Sequence, residues 1–269
     1  MTNRDSSSNR RNFMTKIIAT SVGTGAVAVA QSSKSQASAF KNRTRPNVIF
    51  LDVNETLLDL SPLKKTVGDA LGGKSELLPI WFKTMLHYSL VATVADRYEH
   101  FTTIGAAALQ MVAKNNDIEI STEAAEKAIE PIRSLSPHPD VAPALKRLAD
   151  AGIKLVTLTN SSINGVKQQM KNSGLQQYLT DRFSIEELGI YKPDPHVYRW
   201  AARKMDQDIG DCMLVAAHGW DIAGALWAGM RGAFVSRPGA QLYPLAPEPE
   251  ISNPTLEEVA TNILAMSGK

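Results

Sequence analysis

The chain has 269 residues, 43% hydrophobic and 21% charged, with four Trp and seven Phe, enough for one globular unit with an inserted subdomain. Its net charge of +2 is local: residues 1–39 hold five basic residues and one acid, leaving 24 basic and 26 acidic beyond them. No basic surface for nucleic acid is therefore expected. The single cysteine, Cys212, excludes an intramolecular disulfide, and without a Cys/His cluster there is no zinc site.

The N-terminal stretch places Arg10-Arg11-Asn12-Phe13-Met14 before an apolar segment, Ile17 to Ala30, and then Ala37-Ser38-Ala39. Charged region, apolar region and small-residue cleavage site in that order predict an export signal over residues 1–39, and the arginine pair resembles a twin-arginine signal. Cleavage after Ala39 would start the mature chain near Phe40. Ser21, Gly23, Thr24 and Gly25 interrupt the apolar segment, so it falls short of the ~20 apolar residues of a transmembrane helix. No stable membrane insertion is expected after cleavage.

Beyond Pro46, four apolar runs read as parallel strands buried on both faces: "NVIFLD" (47–52), "IKLVTLTN" (153–160), "CMLVAAH" (212–218) and "GAFVS" (232–236). Cys212 inside the third reads as a packed core thiol. Helical patterns lie between them, "DVAPALKRLADAG" closing at Gly152 and "INGVKQQMKNSG" at Gly174. The fold class expected is α/β, a Rossmann-like doubly wound parallel sheet over 46–60 and 136–269. Residues 61–135 carry no strand-like run, and Trp81, Met85, Tyr88, Ala92 and Ala95 are spaced as on a helix, predicting an all-helical cap. Residues 241–254, rich in Pro and Glu, read as a loop before a closing helix from about Thr255 to Met266. Ligands of open α/β sheets bind beyond the carboxyl ends of the strands, which here deliver Asp52, Thr159-Asn160, His218 and Asp221 to one crevice.

Four ordered motifs, "FLDVNETLLD", "LTNSS", "YKPDPHVY" and "VAAHGWDIAGA", run from about Asn47 to Arg237. In order, spacing and helical insertion they resemble the haloacid dehalogenase superfamily, and within it the type II (S)-2-haloacid dehalogenases. The resemblance implies Asp52 as nucleophile, a carboxylate able to form an ester at the substrate carbon and be regenerated by hydrolysis. It implies that Thr56 braces the nucleophile loop and that Lys192 neutralises and restrains Asp52. Asp221 would pair with Lys192 and keep it charged. Thr159 and Asn160 would hold the substrate carboxylate or the leaving halide, although such a pair ahead of a helix is also a good N-cap. Tyr198 is read equally as a pocket wall and as part of a core helix.

The superfamily's phosphatases place a second Asp two residues after the first, and bind magnesium through further acids of the fourth motif. Here those positions hold Asn54 and Ala217. Loss of the general acid and of one ligand argues against phosphoryl transfer and against a metal. No cofactor is implied, and Asn54 joins the expected substrate-binding set.

Two departures from the common dehalogenase pattern stand out. Many such enzymes carry a cap arginine in a helix beginning Trp-Arg, where this chain has Trp81-Phe82. Halide would instead meet Asn160, backbone N–H groups and the edges of Phe82 and Trp220. The fourth motif has Ala216 and His218 where Ser and Asn are common, which with "DVNET" looks like a branch in which His218 and Glu55 activate the hydrolytic water. Ester hydrolysis needs a base near neutral pH, and an unperturbed histidine, with a pKa of about 6.5, is one. Glu55 would hold it in the right tautomer. The expected partner is a small-molecule haloacid, with a homodimer as one option for assembly. A phosphatase of another small exported substrate and a non-catalytic binding protein are the alternatives.

Overall fold

The structure is a computed structural model that describes residues 43–268, so the expected leader lies outside the described residues. All four apolar runs form strands: β1 (Val48–Leu51), β2 (Lys154–Thr159), β4 (Cys212–Ala216) and β5 (Arg231–Val235). β1 is central, and none of its four side chains is exposed. Burying side chains of that size stabilises by about 1.5–3 kcal/mol each. Cys212 is likewise fully buried, and burial raises its thiol pKa to about 11, consistent with a packing role.

Two further strands complete the sheet, β3 (Asp181–Ser184) and β6 (Ile251–Asn253), in the order β3-β2-β1-β4-β5-β6 with every pairing parallel. β6 corrects the reading of 241–254 as loop throughout. Both strands lie at sheet edges, where one side is half solvated, so neither "DRFS" nor "ISN" shows an apolar run.

Every crossover except the irregular one from β5 to β6 contains a helix, as is usual between parallel strands. These helices include α5 (Val141–Asp150), α6 (Ile163–Asn172), α7 (Pro195–Lys204) and α8 (Gly219–Ala228), with α9 (Leu256–Leu264) closing the chain. Gly152 and Gly174, just past α5 and α6, take left-handed φ of 77° and 71° and stop those helices.

Between β1 and α5 the chain is helical: α1 (Leu63–Ala70), α2 (Leu78–Val94), α3 (Phe101–Lys114) and α4 (Thr122–Ile129). Its two crossings to the sheet are bonded together, Asp59 N–H donating to Ser136 O and His138 N–H to Leu57 O. Trp81 and Met85 are buried, but Tyr88 and Ala95 of the same expected stripe are exposed, because α2 is apolar on its outer face too. Among the described residues no helix is long and apolar enough to cross a membrane.

Candidate active site

Asp52 stands one residue beyond β1, its N–H still donating to Val215 O of β4, so the sheet itself sets its height. The next turn is tight: Leu57 N–H and Leu58 N–H both donate to Val53 O. This folds Thr56 back under the carboxylate. Its Oγ1 donates to Asp52 Oδ2 at 2.7 Å and accepts from Ala217 N–H at 2.9 Å, tying the first motif to the fourth.

Lys192 is buried, and its three ammonium donors meet three acceptors: Asp52 Oδ1 (3.0 Å), Asp221 Oδ2 (2.6 Å) and Leu158 O (2.8 Å). Burial opposes its charge, but Asp221 and Asp52 overcome that and raise its pKa, so it stays an ammonium. Burial likewise pushes Asp52 up, yet Lys192 and His218 outweigh it and hold Asp52 well below the usual carboxylate range. Asp221, deeper and facing Asp52, is raised by burial despite Lys192.

His218 lies between two carboxylates, Nδ1 at 3.1 Å from Asp52 Oδ2 and Nε2 at 2.7 Å from Glu55 Oε2. A carboxylate on each nitrogen favours the form in which both donate. Burial lowers the pKa of His218, but the bonds to Asp52 and Glu55 raise it to about 10. This corrects the expectation of an imidazole ready as a base at neutral pH: in the free protein His218 is an imidazolium. Phe82 of α2 stacks on its ring at 6.0 Å and 22°, and the ring of Trp220 lies 5.3 Å away. Trp220 also has the Lys192 ammonium 5.8 Å from its centroid.

Glu55 reaches His218 because its backbone is left-handed, at φ 62°. For a non-glycine residue such a conformation costs roughly 1–3 kcal/mol and persists only where neighbours impose it. Here Glu55 N–H donates to Leu58 O, and Glu55 O accepts from His138 Nε2 at 3.1 Å.

Two expected ligand contacts, Tyr198 and Asn54, and the N-cap alternative for Thr159-Asn160 are corrected. Tyr198 is fully buried in α7 and donates to Asp221 Oδ1 at 2.5 Å, so it braces that acid instead of walling a pocket. The amide of Asn54 is committed within the protein, Oδ1 accepting from Gln169 Nε2 (2.9 Å) and Nδ2 donating to Ser161 Oγ (3.3 Å). Thr159 Oγ1 accepts from Ser161 N–H, and the N-cap of α6 is Ser162, so the Thr-Asn pair does not cap that helix. Asn160 Oδ1 accepts from Lys192 N–H, leaving Nδ2 without a protein partner among the described residues.

Sequence reasoning missed Ser161 and Gln169, which anchor Asn54, and Arg237. The Arg237 guanidinium grips both oxygens of Asp140 at 2.9 Å and donates to Thr56 O at 3.0 Å, steadying the nucleophile turn from beyond β5. A charged residue just past a strand end was the available signal for Arg237. Among the described residues no group of three or more His, Cys, Asp or Glu is placed to hold a metal ion.

A parallel sheet under a helical cap, with a lysine-held aspartate at the end of its central strand, defines a Rossmann-like α/β protein with an inserted helical cap. The family model of haloacid dehalogenase-like hydrolases matches residues 46–229, and the chain belongs to that family. It is 29% identical to (S)-2-haloacid dehalogenase 1 of Pseudomonas sp. strain CBS-3 over 199 residues, 73% of this chain and 88% of that one. It is 28% identical to (S)-2-haloacid dehalogenase 4A of Burkholderia cepacia, over 70% of this chain and 82% of that one. Among solved structures, the L-2-haloacid dehalogenase from Xanthobacter autotrophicus superposes with TM-score 0.77 at 21% identity, covering 82% of this chain and all (100%) of that one. A dehalogenase solved with an intermediate complex gives TM-score 0.73 at 26% identity, covering 80% of this chain and 96% of that one.

Proposed function

We propose that this protein hydrolyses short (S)-2-haloalkanoic acids to 2-hydroxy acids through an ester on Asp52. The observation that carries the reading is the Asp52 carboxylate, ionised and aimed by Lys192 and Thr56, with the His218–Glu55 pair against it. Oδ2 already takes two donors and Oδ1 only Lys192, so Oδ1 keeps a lone pair for attack.

Oδ1 attacks C2 from behind the halogen, forming the C–O bond as the C–X pair leaves with the halide and inverting the carbon. The free Nδ2 of Asn160 supplies a donor for the halide, and the nearby His218 imidazolium, whose two N–H groups stay on Asp52 and Glu55, contributes positive charge where relatives carrying a cap arginine have that side chain. Once Asp52 is an ester, its charge no longer holds the proton on His218, which leaves to solvent past the half-exposed Glu55. Neutral His218 then takes a proton from water as that water attacks Asp52 Cγ. The intermediate collapses to a carboxylic acid and an alkoxide, the alkoxide takes the acid's proton, and the starting charges return. The cap, through Phe82, keeps bulk water from the ester.

The test compares (S)-2-chloropropionate with p-nitrophenyl phosphate, each with and without EDTA. Halide release unaffected by EDTA is expected; phosphate release stimulated by metal would sink the reading.

Export by the twin-arginine route is part of the proposal, supported by the order of features in residues 1–39. Replacing Arg10 and Arg11 with lysine should leave the protein in the cytoplasm on cell fractionation. We also propose a homodimer, supported by the exposed apolar face of α2, with Ile80, Tyr88, Leu90, Val91 and the 89%-exposed Val94. Sedimentation equilibrium should give twice the chain mass, and Val91→Glu should halve it.

A further inference from the structure

Lys192 bridges the two buried carboxylates of the site, Asp52 and Asp221, yet the residue before it belongs to a different set of bonds. Tyr191 is almost wholly buried, and its partners come from the cap. Its N–H donates to Thr93 Oγ1 at 3.1 Å, in the last turn of α2. Thr93 spends its own hydroxyl hydrogen on Ser89 O at 3.1 Å, which leaves a lone pair directed at Tyr191. Tyr191 OH donates to Glu99 O at 2.5 Å, in the connection between α2 and α3. Tyr98 of that connection stacks on the Tyr191 ring at 5.7 Å and 24°, and Phe101, which opens α3, lies 5.8 Å from it.

One residue later the allegiance changes. Lys192 N–H donates to Asn160 Oδ1 at 3.2 Å, at the end of β2 in the core. Two successive backbone N–H groups therefore bind the cap and the sheet respectively. The Lys192 side chain runs from that junction to acceptors at 2.6, 2.8 and 3.0 Å, a fit with little slack. A shift of the α2–α3 connection displaces Tyr191, and the ammonium cannot keep all three contacts when its backbone moves.

We propose that Tyr191 is a positioning residue that couples the seating of the cap to the placement of the Lys192 ammonium on Asp52. The nucleophile is fully aimed only when the α2–α3 connection rests on Tyr191, so attack is linked to a closed cap. This rests on the aspartyl-ester reading and adds to it a mechanical link that neither Tyr191 nor Thr93 makes by touching substrate.

Single-turnover ester formation on Asp52, followed by rapid quench and mass spectrometry with (S)-2-chloropropionate, tests the link across pH. The variants are Tyr191→Phe, which keeps the ring and loses the bond to Glu99 O, Thr93→Val, which loses the acceptor, and the double variant. Each single variant is expected to form ester about tenfold more slowly at an unchanged half-saturating concentration. The acidic limb should rise toward the ordinary carboxylate value of about 4 as Lys192 loosens from Asp52. The double variant should be little worse than either single, because both cut one connection. A purely structural role would lower the melting temperature and leave the limb in place. Wild-type rates and an unmoved limb in both singles, or additive losses in the double, would overturn the proposal while leaving the ester reading intact. No ester on wild-type Asp52 would overturn both.

Discussion

Asp52→Asn releases no halide from (S)-2-chloropropionate, with a loss of at least about four orders of magnitude, as expected when a covalent nucleophile is removed. The amide is uncharged, and its NH2 must face donors: Lys192 Nζ on one side, Thr56 Oγ1 and His218 Nδ1 on the other. The fold survives the change, because Lys192 keeps Asp221 and Leu158 O. Halide release read beside a circular-dichroism melt checks both halves. Measurable turnover by a folded variant would remove Asp52 from the chemistry.

His218→Asn forms the ester and then hydrolyses it slowly. Halide appears as a burst of one per site, and steady turnover falls by about 10²–10⁴, the usual worth of a general base. The first step slows less, losing only the imidazolium near the leaving halide. Mass spectrometry of the Asp52 peptide should find the adduct at steady state in the variant and scarcely in the wild type. Normal turnover would end the role given to His218 and Glu55.

The same variant has a pH signature in stability. His218 titrates at about 10 in the folded protein, above the ordinary histidine value of about 6.5. Such a group stabilises fully below about 6.5 and loses that contribution as pH rises toward 10. Melting temperatures between those pH values should therefore fall for the wild type and fall less for His218→Asn. Parallel curves would mean that His218 is not held as an imidazolium.

Much of the site was legible in the chain because it sits at the ends of apolar runs. β1 and β4 announce themselves by side chains buried on both faces, and the residues that leave them, Asp52 and His218, are polar where the sheet stops. Thr56 was expected from the first motif's resemblance to the family, and the tight turn returns it to Asp52. β3 and β6 were not, because a short edge strand needs apolar side chains on only part of its surface.

By itself the sequence determined the central strands and the helical insertion, which follow from local periodicity, while the contacts of Lys192 with Asp52 and Asp221 were expected from the resemblance of the four motifs to the family. Only the tertiary structure decided what each polar group spends its bonds on. Asn54 turned from an expected substrate contact into a side chain anchored by Ser161 and Gln169, and Tyr198, legible equally as pocket wall or core helix, became the buried brace of Asp221. His218 turned from a free base into an imidazolium, because residues 163 and 166 positions away in the chain put a carboxylate on each of its nitrogens. Hydrogen-bond partners and desolvation are properties of the packed neighbourhood, and the neighbours that set them lie far off along the chain.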